Sequence, residues 1–112
     1  EDFALYFQGK QQNTPYMTIT YTAKEGVLAL LPSVIHVDNT ARIQTVNREQ
    51  NEHFYLLLKK MKRLTGHGVV MNTSFNLSHE PIVCSPRDAI ACFFASGIYL
   101  LYLGNFKVAK NG

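Results

Sequence analysis

Between Tyr16 and Tyr21, bulky residues alternate with hydroxyl-bearing ones. That is the period-2 signature of a strand with one buried face, and it puts Met17, Ile19 and Tyr21 on a common side. Apolar runs at Val34–Val37 and Ile43–Val46 flank the polar stretch Asp38-Asn39-Thr40-Ala41-Arg42, whose first three residues favour a turn. Two short strands around a polar loop are expected there. From Asn47 the period changes. Phe54, Leu57, Leu58, Met61 and Leu64 recur at helical spacing, Asn47 with Gln50 three positions on can cap the start, and Gly66 marks the stop.

The ends of the chain follow the same logic. Phe3, Tyr6 and Phe7 stand at helical spacing before Gly9 and read as the tail of a helix, followed by a polar loop from Gly9 to Pro15. Gly68–Met71 reads as a short apolar strand that runs into Asn72-Thr73-Ser74-Phe75-Asn76. Ser85-Pro86-Arg87-Asp88 has the form of a helix start, with proline in the first turn and an acid three positions after the cap; Ile90, Phe93 and Phe94 supply its apolar stripe. Ile98–Leu103 and Phe106–Val108 close the chain as strands around Gly104-Asn105. The expected fold is α/β (α+β), a mixed twisted sheet with two or three helices packed on it, in a single domain over residues 1–112.

Composition narrows the function classes. With 46% hydrophobic residues in 112 the chain can bury one core, and no apolar run approaches the ~18 residues of a membrane helix. The first residues lack a basic region ahead of an apolar segment, so they do not form a secretory signal, and a cytoplasmic, soluble protein without a membrane partner is expected. Cys84 and Cys92 show no metal-ligand or redox spacing and read as reduced core thiols. A net charge of +3 suits small anions as well as nucleic acid. The basic run Lys59-Lys60, Lys62-Arg63 lies between apolar helix positions and reads as a solvated face in preference to a nucleic-acid stripe.

Candidate chemistry concentrates in two polar stretches. Arg42 offers a planar fork for phosphate or carboxylate; the competing reading is a surface arginine paired with Asp38. Thr73, Ser74 and Asn76 leave the end of an expected strand, where hydroxyl and amide donors can meet a phosphate or carbonyl oxygen. Their competing role is a polar turn that satisfies its own backbone. His36, His53, His67 and His79 show neither a catalytic order nor ligand spacing and read as structural, and the chain has no nucleophile elbow and no Walker-type glycine loop.

Four segments, Thr14–Met17, His36–Val46, Asn72–Asn76 with Glu80–Ala89, and Gly104–Phe106, together resemble the C-terminal region of the O-carbamoyltransferases of nodulation-factor and antibiotic biosynthesis. The resemblance implies part of a YrdC-like domain within a larger enzyme, with the upstream part of that domain and a second, metal-bearing acyl-transfer domain (Kae1-like) outside this chain. It implies formation of carbamoyl-adenylate from carbamoyl phosphate and ATP, with magnesium carried by ATP, before transfer to an acceptor hydroxyl. Arg42 and Ser74 would then bind carbamoyl phosphate or the reacting phosphates, and Thr73 and Asn76 the nucleotide. No catalytic residue and no metal ligand is assigned to this chain, which alone should be inactive. Two departures from the family pattern stand out: His79 occupies a usual glycine position, and an upstream basic motif is absent. The alternative is a YrdC-like nucleotide- or RNA-binding module without catalysis of its own. A sheet completed elsewhere would leave apolar surface open, which predicts a homodimer or marginal stability.

Overall fold

The computed structural model describes residues 2–10 and 13–110. They carry four helices and four strands: α1 (Phe3–Tyr6), β1 (Thr20–Thr22), α2 (Val27–Leu30), β2 (Thr40–Arg42), α3 (Glu52–Thr65), α4 (Pro86–Ala95), β3 (Leu100–Leu103) and β4 (Phe106–Ala109). The class is α+β. Among the described residues the strands form two antiparallel pairs, β1 with β2 and β3 with β4, where the sequence predicts one mixed sheet. The chain divides into two compact units, Glu1–Met71 and Asn72–Gly112.

The first unit is organised by aromatic packing. Phe3, Tyr6, Phe7, Tyr21, Ala23, Val27, Ile35 and Ala41 form its buried cluster, with the Phe3 and Tyr21 rings edge to face at 4.7 Å. Burying each large ring contributes about 1.5–3 kcal/mol before entropy is counted. Phe7 bridges Ala23 in antiparallel fashion, Gln8 N donates to Thr22 O and Lys24 N to Tyr6 O, so residues 6–8 run beside β1 like a third strand. Small side chains at Ala23 and Ala41 leave the aromatic rings room to close over both strands. The opening segment is thus a four-residue helix followed by an extended stretch, and of the expected loop at 9–15, residues 11 and 12 lie outside the described residues.

Strand boundaries depart from the sequence pattern for identifiable reasons. The alternation at Met17, Ile19 and Tyr21 holds, since the first two are half-buried and the third buried, while Tyr16, Thr18 and Thr20 are exposed. The ladder nevertheless begins only at Thr20. A turn at Pro15-Tyr16-Met17, with Met17 in the left-handed region at φ 56, interrupts it. Val34–Val37 is a turn: Val34 N donates to Leu31 O, which removes it from any ladder, and Val37 is fully exposed. Thr40–Arg42 is a strand although its polarity suggested a loop. Asp38 Oδ1 accepts hydrogen bonds from Thr40 N and Thr40 Oγ1 and so fixes the turn that starts β2, whose Ala41 faces the core opposite Tyr21. Ile43–Val46 forms no named strand, yet Thr45 N donates to Thr14 O and Thr14 N donates to Thr45 Oγ1.

Helix α3 starts at Asn51, not Asn47. The Asn51 side chain accepts from Phe54 N, while Asn47 Oδ1 accepts from Gln50 N in the turn just before. Gly66, at φ 83, ends the helix in the left-handed conformation that glycine adopts without steric cost. Phe54, Leu58 and Met61 are half-buried, whereas Leu57 and Leu64 are exposed. Two contacts tie the end of α3 to the start of the chain, Lys62 Nζ to Asp2 Oδ1 at 2.6 Å and the Tyr6 hydroxyl to His67 Nδ1 at 3.0 Å. Burial, together with the Asp2 charge, raises the Tyr6 phenol above its usual range, so it stays protonated at neutral pH. Gly68–Met71 forms no strand.

In the second unit, α4 begins with a complete capping box. Ser85 Oγ accepts from Asp88 N, and the Asp88 carboxylate accepts from Ser85 N, with Pro86 in the first turn. Its buried side is Ala89, Cys92 and Phe93; Ile90 and Phe94, expected inside, are exposed because the face that packs is turned by one position. Strands β3 and β4 pair from Leu100 opposite Ala109 to Leu103 opposite Phe106, across a turn with Gly104 at φ 57. Lys110 places its ammonium over the Phe93 ring, 5.0 Å from the centroid, and donates to the Ser96 carbonyl.

Candidate functional site

Arg42 stands at the end of β2, opposite Thr20 in the ladder. Because Ala41 takes the inward position, the pleat turns Arg42 outward, and it is exposed. Its guanidinium makes no hydrogen bond or ion pair among the described residues. The pairing with Asp38 that the sequence allowed does not form. Asp38 spends its carboxylate on Thr40, whose hydroxyl and amide hold it below the usual carboxylate range. A charged fork on a rigid strand, with the nearest acid in sequence occupied, is available to an external anion.

In the second unit, Thr73 and Ser74 lie in an irregular segment, exposed and with hydroxyls unpaired among the described residues. Asn76 is different. Its amide nitrogen donates to both Leu77 O and Glu80 O, so both amide hydrogens are engaged and only the carbonyl oxygen is left without a partner among the described residues. Val83 N donates to Phe75 O and Glu80 N to Leu77 O, which fold 75–83 into a closed loop. His79 holds the turn at φ 69. That left-handed backbone is what a glycine would supply, so the histidine keeps the turn shape and bears the strain of a side chain there.

Other candidates have structural assignments. Cys84 is exposed and donates to Asp88 Oδ2, and the hydrogen bond and charge of Asp88 raise the thiol above its usual range, which disfavours the thiolate; Cys92 is buried, as expected of a core thiol. The Ser85 hydroxyl above all holds Asp88 low. His36 Nδ1 lies 3.1 Å from the Thr40 hydroxyl and His67 meets Tyr6. The basic face of α3 is interrupted where Lys62 pairs with Asp2. Among the described residues no group of three histidine, cysteine or acidic side chains could hold a metal, and no helix is long and apolar enough to cross a membrane.

One feature of the first unit was not singled out by the residue pattern. The Gln44 side chain donates to Pro15 O, and a cleft of about 310 Å³ lies between the Pro15-Tyr16-Met17 turn and the start of α3. Tyr16, Gln44, Gln50, Asn51 and Phe54 are among its lining residues. The proline ahead of an aromatic residue was the available signal, and it read as the end of a loop.

Comparison with known proteins places these residues in a family. Residues 1–110 match the carbamoyltransferase C-terminus. An uncharacterized protein of Synechocystis sp. is 52% identical over 81 residues, which cover 72% of this chain and 13% of that protein. The nodulation protein NolO of Bradyrhizobium diazoefficiens is 36% identical over 114 residues, covering 99% of this chain and 21% of that protein. A 3'-hydroxymethylcephem-O-carbamoyltransferase of Amycolatopsis lactamdurans is 32% identical over 91 residues, covering 81% of this chain and 17% of that protein. The chain therefore spans about a fifth or less of the length of these relatives, and it belongs to the carbamoyltransferase C-terminus family.

Proposed function

We propose that this chain is part of a YrdC-like domain of an ATP-dependent O-carbamoyltransferase and contributes to the site where carbamoyl phosphate and ATP form carbamoyl-adenylate. The balanced reaction consumes one water and releases phosphate and pyrophosphate, and a second domain then passes the carbamoyl group to the hydroxyl of an acceptor substrate, with AMP as the leaving group. The observation that carries this reading is the unpaired, strand-mounted guanidinium of Arg42, left free because Asp38 is committed to Thr40. Reactions at phosphorus need charge neutralisation and alignment more than a protein nucleophile. Arg42 supplies the charge, Ser74 and Thr73 supply hydroxyl donors, and Asn76 braces the loop that presents them, with magnesium arriving on ATP.

The test uses the full-length protein that carries this chain. Carbamoyl-phosphate-dependent release of pyrophosphate from ATP should fall by about 100-fold in Arg42→Ala, the scale for loss of a charge-stabilising donor, and less in Ser74→Ala. Both side chains are exposed and unpaired, so stability should stay within about 0.5 kcal/mol of the parent. Unchanged turnover in both variants would remove these residues from the site.

A further inference from the structure

The cleft between the Pro15-Tyr16-Met17 turn and the start of α3 has a lining unlike the surroundings of Arg42. None of the side chains that form it is charged. It offers two rings, Tyr16 and Phe54, and three carboxamides, Gln44, Gln50 and Asn51. The Tyr16 ring is 84% exposed, and the Gln50 side chain has no partner among the described residues. Gln44 gives its amide to Pro15 O and keeps its carbonyl oxygen, while Asn51 gives its carbonyl oxygen to Phe54 N and keeps its amide. Flat rings beside unspent donors and acceptors suit a planar, uncharged ligand with hydrogen-bonding edges. A purine base has those properties.

Placement along the chain adds a second constraint. Burial alternates from Ala41 to Thr45, with Arg42 and Gln44 both exposed. Residues two apart in an extended segment share a face and sit about 6.6 Å from each other. An uncharged, amide-lined cleft therefore lies one strand repeat from a free guanidinium on the same face, an order that matches a nucleotide running from base to phosphate.

We propose that this cleft is the base subsite of the nucleotide, with Tyr16 as a stacking platform and Gln50 as a reader of the base edge. The proposal rests on the reading of Arg42 as a phosphate ligand, and the test separates the two. In the full-length protein, dissociation constants are measured for ATP, GTP and inorganic tripolyphosphate, with the parent and with Tyr16→Ala, Gln50→Leu and Arg42→Ala. Tyr16 and Gln50 are exposed and unpaired, and circular dichroism verifies the fold of each variant.

The parent should prefer ATP to GTP. Tyr16→Ala and Gln50→Leu should weaken ATP about tenfold, as expected for loss of a stacking partner, and narrow the ATP to GTP ratio while tripolyphosphate binding stays the same. Arg42→Ala should weaken all three. If the cleft variants leave ATP affinity and the ratio unchanged while Arg42→Ala weakens every ligand, the base subsite is overturned and the phosphate assignment stands. If the cleft variants act as expected and Arg42→Ala changes nothing, the phosphate assignment fails and the cleft remains a base site. Absence of binding by all three ligands to the parent overturns both.

Discussion

The two units are held together in different ways. In the first, side chains far apart in sequence meet in one aromatic cluster, and Asp2 and Tyr6 reach Lys62 and His67 across some sixty residues. In the second, the contacts span far less sequence: a capping box within four residues, a loop closed by Asn76, a hairpin around Gly104-Asn105, and Lys110 reaching back to Phe93 and Ser96. The proposed phosphate ligands divide along the same line, with a rigid cation on the first unit and hydroxyls in an irregular segment on the second. A guanidinium has its reach set by the strand that carries it, whereas a hydroxyl donor rotates to suit, so long-range packing positions Arg42 in a way that Ser74 does not require.

The strongest way to break this contrast is Phe3→Ala. Phe3 is 8% exposed and touches both Phe7 and Tyr21, so the loss should be about 3–5 kcal/mol in urea denaturation, with faster hydrogen exchange in β1 and β2. A change under 1 kcal/mol would mean that the aromatic cluster does not hold the first unit. In the second unit, Ser85→Ala should cost only about 1 kcal/mol, the usual value of a helix cap. It should also alter acid sensitivity. Asp88 is held below its ordinary value of 3.8, so its contribution is complete above that pH and disappears as acid protonates it below. Because the Ser85 hydroxyl is the main cause, the variant should show a flatter stability profile below pH 4, read from melting temperatures across that range.

The smallest effect should have the opposite sign. Thr14 is buried, and its hydroxyl has no hydrogen-bond partner among the described residues. Thr14→Val keeps the shape and removes the orphaned oxygen, so stability should rise by about 1 kcal/mol, whereas a loss would reveal a partner for that hydroxyl in the full-length protein.

The elements that the sequence announced are those that its local chemistry decides alone. Asp88 following Ser85-Pro86 specifies the start of α4, Gly66 the end of α3, and Gly104-Asn105 the hairpin, because each acts on the backbone beside it. Val34–Val37 looked like a strand since four apolar-rich residues cannot say whether their amides will find a ladder or a preceding carbonyl, and Leu31 captured one of them. Arg42 is legible as a candidate anion ligand, but its freedom is not, because that depends on where the Asp38 carboxylate goes. Asn76 shows the reverse: a side chain able to serve a ligand is spent on two carbonyls of its own loop. The cleft was hidden because its walls come from residues about thirty positions apart, which no periodicity connects.

The tie between the chain's first residues and the end of α3 also sets an order for synthesis. Asp2 and Tyr6 leave the ribosome before their partners Lys62 and His67, which follow some sixty residues later. Until then Asp2 and the Tyr6 hydroxyl lack these partners, and closing so long a loop slows the search for them. The aromatic cluster can close earlier, because Tyr21, Val27, Ile35 and Ala41 all precede α3, and a translational pause before residue 62 would leave only the two ties to the end of α3 unmade.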